Sequence, residues 1–362
     1  MNITDNKEKF DSPIPLGPFG SDPRSRVSII IVNWNGLEHL ETCLESLKGQ
    51  TFRDFEVVLV DNGSTDGSVP FLMSRYPWVR LVELPENTGF ATGNNIGLRH
   101  AAGEYIVTLN NDTEADRAWL ATIVGVADAN PGAGMVGSRI CSFDDPDLID
   151  SLGIAVCSDG MSRGRFRLRR YPELSLEEVE EILFPSACVA LYRRAMLDET
   201  GFFDDDFFAY AEDTDVGLRG RLAGWGALLA TNAVVRHKYS RTGGSFSPFK
   251  LYLVERNHYW AALKTFPLRM LLLLPFFTIG RYAVQAAVVL SGKGSGKEFR
   301  ESGSAAALVG ALARGSWDAF RGTPRMLRKR ARIMAARKIS GEELARLLRT
   351  NRLSFGELLD NG

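Results

Sequence analysis

An α/β fold is what this sequence predicts: an open, doubly wound, mostly parallel sheet flanked by helices, with a C-terminal helical, membrane-associating extension. Three observations predict it. β-branched runs alternate with segments of helical periodicity, each run stops at a polar cluster, and beyond residue 265 the chain turns apolar and then basic.

Val27–Asn33 (VSIIIVN) and Phe55–Asp61 (FEVVLVD) are almost continuous apolar runs, the pattern of strands buried on both faces of a parallel sheet. Between them, Leu37–Lys48 carries Leu37, Leu40, Leu44 and Leu47 at helical spacing, completing a β-α-β unit. The alternation continues with a strand at Val79–Leu84, a helix at Thr92–Ala101 and a strand at Tyr105–Leu109. Ala187–Arg193 reads as a further strand, and Ala211–Ala223 as a helix that opens in acidic residues.

Leu268–Leu290 is strongly apolar but interrupted by Arg269, Pro275 and Arg281. An unpaired arginine near mid-bilayer is costly, so a pair of helices lying in the membrane plane is expected over a spanning helix, with packing on the preceding domain as the alternative. Arg321–Lys338 then holds eight basic residues and no acidic one. Beside anionic lipid each such charge contributes about 1 kcal/mol, which makes an anionic membrane surface the expected partner, against an ordinary solvated helix face. No base-reading module accompanies the charges, so nucleic acid is not expected.

With 362 residues, 45% apolar and 24% charged, the chain suits one large domain and a smaller appendage. The expected division is an N-terminal extension over 1–26, a catalytic domain over 27–265 and a helical region over 266–362. The four cysteines form no C-x-x-C pair, which suggests core thiols in a reducing compartment. Met1–Arg26 lacks the apolar run of a secretory signal, so a cytoplasmic protein, peripheral on the cytoplasmic face of the membrane, is expected.

The strand ends carry the chemistry, because ligands of open α/β sheets sit at the carboxyl-terminal edges. Asn33-Trp34-Asn35-Gly36 and Asp61-Asn62-Gly63-Ser64 set amide, hydroxyl and carboxylate groups side by side, suited to a base and a ribose, although the same residues also serve ordinary turns. Asn110-Asn111-Asp112 offers one hard carboxylate for Mg²⁺ or Mn²⁺, which would neutralise a departing diphosphate; its bland reading is an Asx-turn. Glu212, Asp213 and Asp215 open a helix, either as acids at its positive end or as a base for an acceptor hydroxyl. His237 stands open between a structural and a metal-binding role. The chain has no G-x-G-x-x-G after its first strand and no P-loop, against dinucleotide-binding Rossmann and P-loop enzymes.

Taken in order, VSIIIVNWNG from Val27, VDNGSTDG from Val60, NTGFATGNNIG from Asn87, LNNDT from Leu109, Glu212-Asp213 and His237 resemble the inverting glycosyltransferases of family 2, which have the GT-A fold, and among them the rhamnosyltransferase-like branch. The resemblance covers roughly residues 27–260. It implies that Asn33, Asn35 and Asp61 surround the base and ribose of the donor and that Asn87, Gly93 and Asn95 line the donor pocket. Asn111 and Asp112 fall on the D-x-D motif, with Asp112 the metal acid and His237 a second ligand to the same ion. Asp213 falls on the catalytic base of the E-D motif, beside Glu212. The motif here reads Asn-Asn-Asp, so that loop offers a single carboxylate.

The function so implied is inverting, metal-dependent transfer of a sugar, by preference L-rhamnose, from a dTDP- or UDP-linked donor to a hydroxyl of a glycan or lipid-linked glycan in cell-surface polysaccharide synthesis. Two other classes stay open on the residues alone: a nucleotidyltransferase, and a membrane-bound nucleotide-sugar-binding protein with a degenerate site. The apolar stretch after Leu268 would equally serve a homodimer interface.

Overall fold

A computed structural model of the chain describes residues 25–238, 247–291 and 305–359. Nearly all of the N-terminal extension, and residues 243–246 of the loop preceding Lys250, lie outside them. The central sheet begins with the parallel strands β1 (Val27–Asn33), β2 (Phe55–Asn62), β3 (Arg80–Leu84) and β4 (Tyr105–Leu109), in spatial order β3-β2-β1-β4. Their connecting helices are α1 (Leu37–Lys48), α2 (Ser68–Arg75) and α3 (Phe90–His100). This is the doubly wound half expected from the alternating pattern. Every residue of β4 and six of the seven in β1 are buried, as two-sided coverage requires.

Beyond β4 the chain adds β5 (Thr113–Ala115), α4 (Trp119–Ala129), β6 (Ala133–Ser142), β7 (Ile149–Ser151), β8 (Ile154–Val156), β9 (Ser162–Gly164) and β10 (Val179–Glu181). There follow β11 (Val189–Arg193), α5 (Arg194–Thr200), α6 (Glu212–Leu222) and β12 (Gly226–His237). β11 pairs antiparallel with both β4 and β6, and β12 runs parallel to β6, so the sheet is mixed on this side. Trp119, Leu40 and Leu44 fill the core on one face of the sheet; Phe184, Met196, Leu218 and Phe266 fill the other.

Three expected boundaries shift for local reasons. Strand β11 starts at Val189, because the N–H of Ala187 turns toward the Asp213 carboxylate at 3.5 Å and that of Val189 toward the carbonyl of Ser186. Helix α3 starts at Phe90, set by Gly89 at φ 89°, where an added Cβ would meet Phe208 at 2.6 Å. Ala211 falls outside α6 because its φ is 64°.

The last helices are α7 (Pro248–Thr265), α8 (Leu268–Ser291), α9 (Ala305–Ala336), α10 (Gly341–Thr350) and α11 (Phe355–Leu359). The expected pair of short helices after Leu268 is corrected to one: α8 runs unbroken through Pro275, which removes a single N–H donor from the ladder. Arg281 is not unpaired either. It is fully buried between Asp159, at 2.5 Å, and Glu255 of α7, at 3.0 Å, and Glu255 also accepts from Tyr282 and from Ser316 of α9. This ionic knot fixes α8 to the sheet domain and to its helical neighbours.

The opposite face of α8 stays bare. Leu268, Leu272, Phe276 and Ile279 form one stripe at helical spacing, and Phe276 is 70% exposed. Val309, Trp317, Phe320 and Leu327 make a second exposed stripe on α9. By length and composition α8 is apolar enough over Leu268–Val288 to cross a membrane. The basic run of α9 is partly consumed inside the protein: Lys329 and Arg325 pair with Asp204 and Asp206, and Arg330 donates to the carbonyls of Leu263 and Phe266. All four cysteines are free thiols.

Replacing Arg281 with Met strands two buried carboxylates and is expected to cost about 3–5 kcal/mol. Thermal unfolding of Arg281→Met measures it; an unchanged melting temperature contradicts the role given to the knot.

Candidate active site

Three neighbouring strands end in one hydrogen-bonded chain of side chains. Asn111, just after β4, donates its Nδ2 to Oδ1 of Asn33 at 2.7 Å, and Asn33 at the end of β1 donates to Oδ1 of Asp61 on β2 at 3.1 Å. Asp61 also accepts from the N–H of Ser64, whose hydroxyl accepts from Asn33 and from the N–H of Asn35. Gly36 closes over this chain, and a Cβ there would stand 2.2 Å from Nδ2 of Asn111. Asn35, at φ 50°, accepts the N–H of Thr65 and so fixes the turn after β2 against the turn after β1.

The segment after β3 is also held by amides, though not all of them face this edge. Asn87 accepts from Asn62 and from the N–H of Gly89. Asn95 is spent on the carbonyl of Phe203 and the carboxylate of Asp205, and an added Cβ on Gly93 would meet Val32 at 2.9 Å. Both therefore act in packing α3 onto β1 and onto the 202–207 segment. Asp66, not singled out from the sequence, accepts the N–H groups of Leu37 and Ser68 and so caps α1 and α2 together.

Asp112 and His237 are brought together by strand pairing. β5 runs antiparallel to the end of β12, with Thr113 opposite His237, and the N–H of Lys238 donates to the carbonyl of Asp112 at 3.0 Å. Nε2 of His237 then lies 3.3 Å from Oδ1 of Asp112, a buried oxygen that accepts no hydrogen bond. On the other side of the ring, Nδ1 meets Oδ2 of Asp150 at 2.8 Å, and Asp150 is held in turn by Arg167 at 2.6 Å. A carboxylate behind a histidine that faces a second, unsatisfied carboxylate is the arrangement that orients metal-binding imidazoles, so the residues fit a divalent cation. Among the described residues no group of three His, Cys, Asp or Glu ligands occurs. Burial works to raise the Asp112 carboxyl, yet His237 brings it net below the usual value. Sequence reading missed Asp150 because nothing in its local pattern marks it.

The second acidic group enters through a strained turn. Phe208, Tyr210 and Ala211 all have φ between 64° and 70°, conformations that cost non-glycine residues of order 1 kcal/mol or more each. One buried side chain holds the turn: Nδ2 of Asn257 lies 2.8–2.9 Å from the carbonyls of Phe207, Ala209 and Tyr210. Asn257 also escaped sequence reading, since a lone amide in a helix carries no motif.

The turn delivers Glu212 and Asp213 to the same cleft. Asp213 accepts from the N–H of Ala187 at 3.5 Å, the residue before Cys188, whose thiol in turn feels the charge of His237. Asp215, by contrast, is consumed by Arg219 and Lys264 and serves structure. Burial together with neighbouring Asp213 pushes the Glu212 carboxyl up to about 8, and burial raises Asp213 too. Beneath them the Tyr192 hydroxyl is buried without a hydrogen bond and is kept neutral by burial and by both acids. The geometry supplies a half-buried proton acceptor beside a buried acid and, separately, a carboxylate and an imidazole that can hold a cation.

The comparisons with known proteins agree on a family. The model of "Glycosyl transferase family 2" matches residues 28–201. An N-acetylglucosaminyl-diphospho-decaprenol L-rhamnosyltransferase of Mycobacterium tuberculosis is 31% identical over 237 residues, which cover 59% of this chain and 77% of that one. The O-antigen biosynthesis protein RfbC of Myxococcus xanthus is 33% identical over 204 residues, covering 54% of this chain and 16% of that much longer protein. In structure, the mannosyltransferase PcManGT of Pyrobaculum calidifontis, solved with GDP-Man and Mn²⁺, superimposes with a TM-score of 0.51 at 21% identity, covering 89% of each chain. That likeness carries the fold, and the GT-A architecture expected from the sequence stands.

Glu212, raised in the folded chain, keeps a proton that the unfolded chain releases. Its neutral form stabilises the fold fully below the ordinary carboxylate range, and that contribution is lost as pH climbs through about 8. Glu212→Gln is therefore expected to melt several degrees above wild type at pH 9 and close to it at pH 5. Parallel curves of melting temperature against pH for the two proteins contradict the burial of this acid.

Proposed function

The chain belongs to glycosyl transferase family 2, in its rhamnosyltransferase-like part, and from that premise we propose an inverting, metal-dependent transferase that moves L-rhamnose from a nucleoside diphosphate to a hydroxyl of a saccharide or lipid-linked saccharide. The observation that carries the reading is the meeting of two acid groups at one cleft, Asp112 with His237 and Glu212 with Asp213, bridged by Ala187 and Cys188. Rhamnose as the sugar is supported by the mycobacterial relative, and cell-surface polysaccharide as the destination by that protein and the O-antigen protein. The mannosyltransferase of like fold holds Mn²⁺, which supports a divalent cation here.

In this reading Asn33, Asn35, Asp61, Asn87 and Asn111 form the edge that receives the nucleoside of a dTDP- or UDP-linked donor. Asn33 and Asn111 are already locked by each other, so they pre-form the wall without rearrangement. Asp112 and His237 would hold the cation, which would supply charge neutralisation for the leaving diphosphate. Asp213 removes the proton from the acceptor hydroxyl as that oxygen attacks the anomeric carbon opposite the leaving group. Glu212, held protonated by burial and by its neighbour, leaves the pair one negative charge, carried by Asp213 as the base. Asp150 positions His237 and is not itself a ligand.

The apolar stripes of α8 and α9 support a peripheral seat on the cytoplasmic face of a membrane, where a lipid-linked acceptor is presented. Domain limits near residues 26 and 265 follow from the same reading, with the helical region beyond 265 as the membrane-facing part.

A panel of nucleotide sugars, offered with Mn²⁺ or Mg²⁺ and scored by nucleoside diphosphate release, tests it. One donor should give metal-dependent release, and Asp213→Asn should lower transfer by about 10²–10⁴-fold while donor binding persists. Near wild-type turnover by Asp213→Asn sinks the base assignment. Asp150→Asn is expected to weaken Mn²⁺ binding about 10–100-fold, read by electron paramagnetic resonance of the free ion; unchanged affinity contradicts its positioning role.

A further inference from the structure

Away from the strand ends, the described residues form a large concavity, of about 1040 Å³, between the β9 segment and the C-terminal helices. Its walls are unusually rich in arginine. Arg163, Arg165, Arg167 and Arg169 come from one stretch, Arg221 from α6, and Arg346 and Arg352 from the chain at and after α10. Four glutamates also face it, leaving an excess of three positive charges. Two of those glutamates are committed, Glu180 to Arg165 and Glu181 to Arg221. Among the described residues, Arg169, Arg346 and Arg352 have neither an ion pair nor a side-chain hydrogen bond, and the Nε of Arg165 is buried without a partner.

Like charges gathered on a cavity wall repel one another, and an anion that enters relieves that repulsion and can pair the buried Nε of Arg165. Guanidinium groups present flat forks that match phosphate oxygens two at a time. Several of them, on segments facing each other, suit a ligand with more than one anionic group. Phe166, Trp225, Leu347 and Leu353 supply apolar surface beside the charges, room for whatever the anion is attached to.

We propose that this cavity is a binding site for a diphosphate-bearing ligand, distinct from the edge that receives the donor. Its wall touches the cleft at two points. Ser162 of β9 hydrogen-bonds Thr214 at 2.9 Å, and Thr214 donates to the Asp213 carboxylate. Arg167 grips Asp150, which lies behind His237. A ligand that moves the 162–169 segment therefore acts on both acid groups of the cleft.

The proposal is independent of the transferase reading, because binding is measured without turnover. Titration calorimetry of the full chain with inorganic pyrophosphate, in the absence of divalent cation, is expected to show one site. Arg346→Ala/Arg352→Ala should weaken it at least tenfold, and Arg169→Ala should do so through a separate segment, all with wild-type melting temperatures. Asp112→Ala should leave it unchanged. A short isoprenyl diphosphate in detergent binding more tightly than pyrophosphate identifies a lipid source, and a nucleoside diphosphate doing so identifies a nucleotide; either supports the site. No binding by wild type, binding indifferent to all three arginines, or binding lost only in Asp112→Ala overturns it.

Discussion

Everything at the cleft depends on one short antiparallel contact, the pairing of β5 with the last residues of β12. It sets His237 opposite Thr113 and ties Lys238 to the Asp112 carbonyl, joining residues more than a hundred positions apart. Because side chains alternate along a strand, a slip of one residue would turn His237 to the other face and leave Asp112 alone. Register, more than the identity of the two residues, makes them a pair. β12 also pairs with β6, which pairs with β11, so the strand that carries His237 is anchored in the central sheet.

The acidic residues of α6 follow a turn with three positive-φ conformations whose carbonyls the buried Asn257 amide gathers. Strain of this kind persists only where the surroundings over-determine it. Here Asn257, the Arg256 guanidinium on the carbonyls of Asp206 and Phe207, and the N–H of Ala91 on Phe208 all pull in one direction. The result is that Glu212 enters the helix buried, with the half-buried Asp213 beside it. Their raised affinity for protons follows from that placement, since two carboxylates in one dry pocket cannot both hold charge cheaply.

Much of the fold was legible in the sequence because buried parallel strands and the amphipathic helices between them leave distinct signatures: the strands Val27–Asn33 and Tyr105–Leu109 and the helix Leu37–Lys48 fall where their patterns put them. The motif residues Asn33, Asp61 and Asn111 are hydrogen-bonded to one another at one sheet edge, with Asp112 next in the chain, since strand ends in this topology converge there. What stayed hidden was long-range partnership. Asp150 and Asn257 have no motif, and only the folded chain shows one behind His237 and the other under the 208–211 turn. Arg281 read as an interruption in an apolar segment, yet its partners Asp159 and Glu255 lie far apart in sequence and turn it into an anchor. Asn95 and Gly93, taken with the donor pocket by resemblance, are engaged in packing α3.

The pairing of a cation site with a separate base is tested most directly by crystals grown with Mn²⁺ and a nucleoside diphosphate, with anomalous scattering recorded at the manganese edge. A single peak within coordinating distance of Oδ1 of Asp112 and Nε2 of His237, on the diphosphate side of the cleft and with Asp213 not coordinated, is the predicted result. A peak bound by Glu212 or Asp213, or none at Asp112 while nucleotide occupies the strand ends, would contradict the division of labour between the two acid groups.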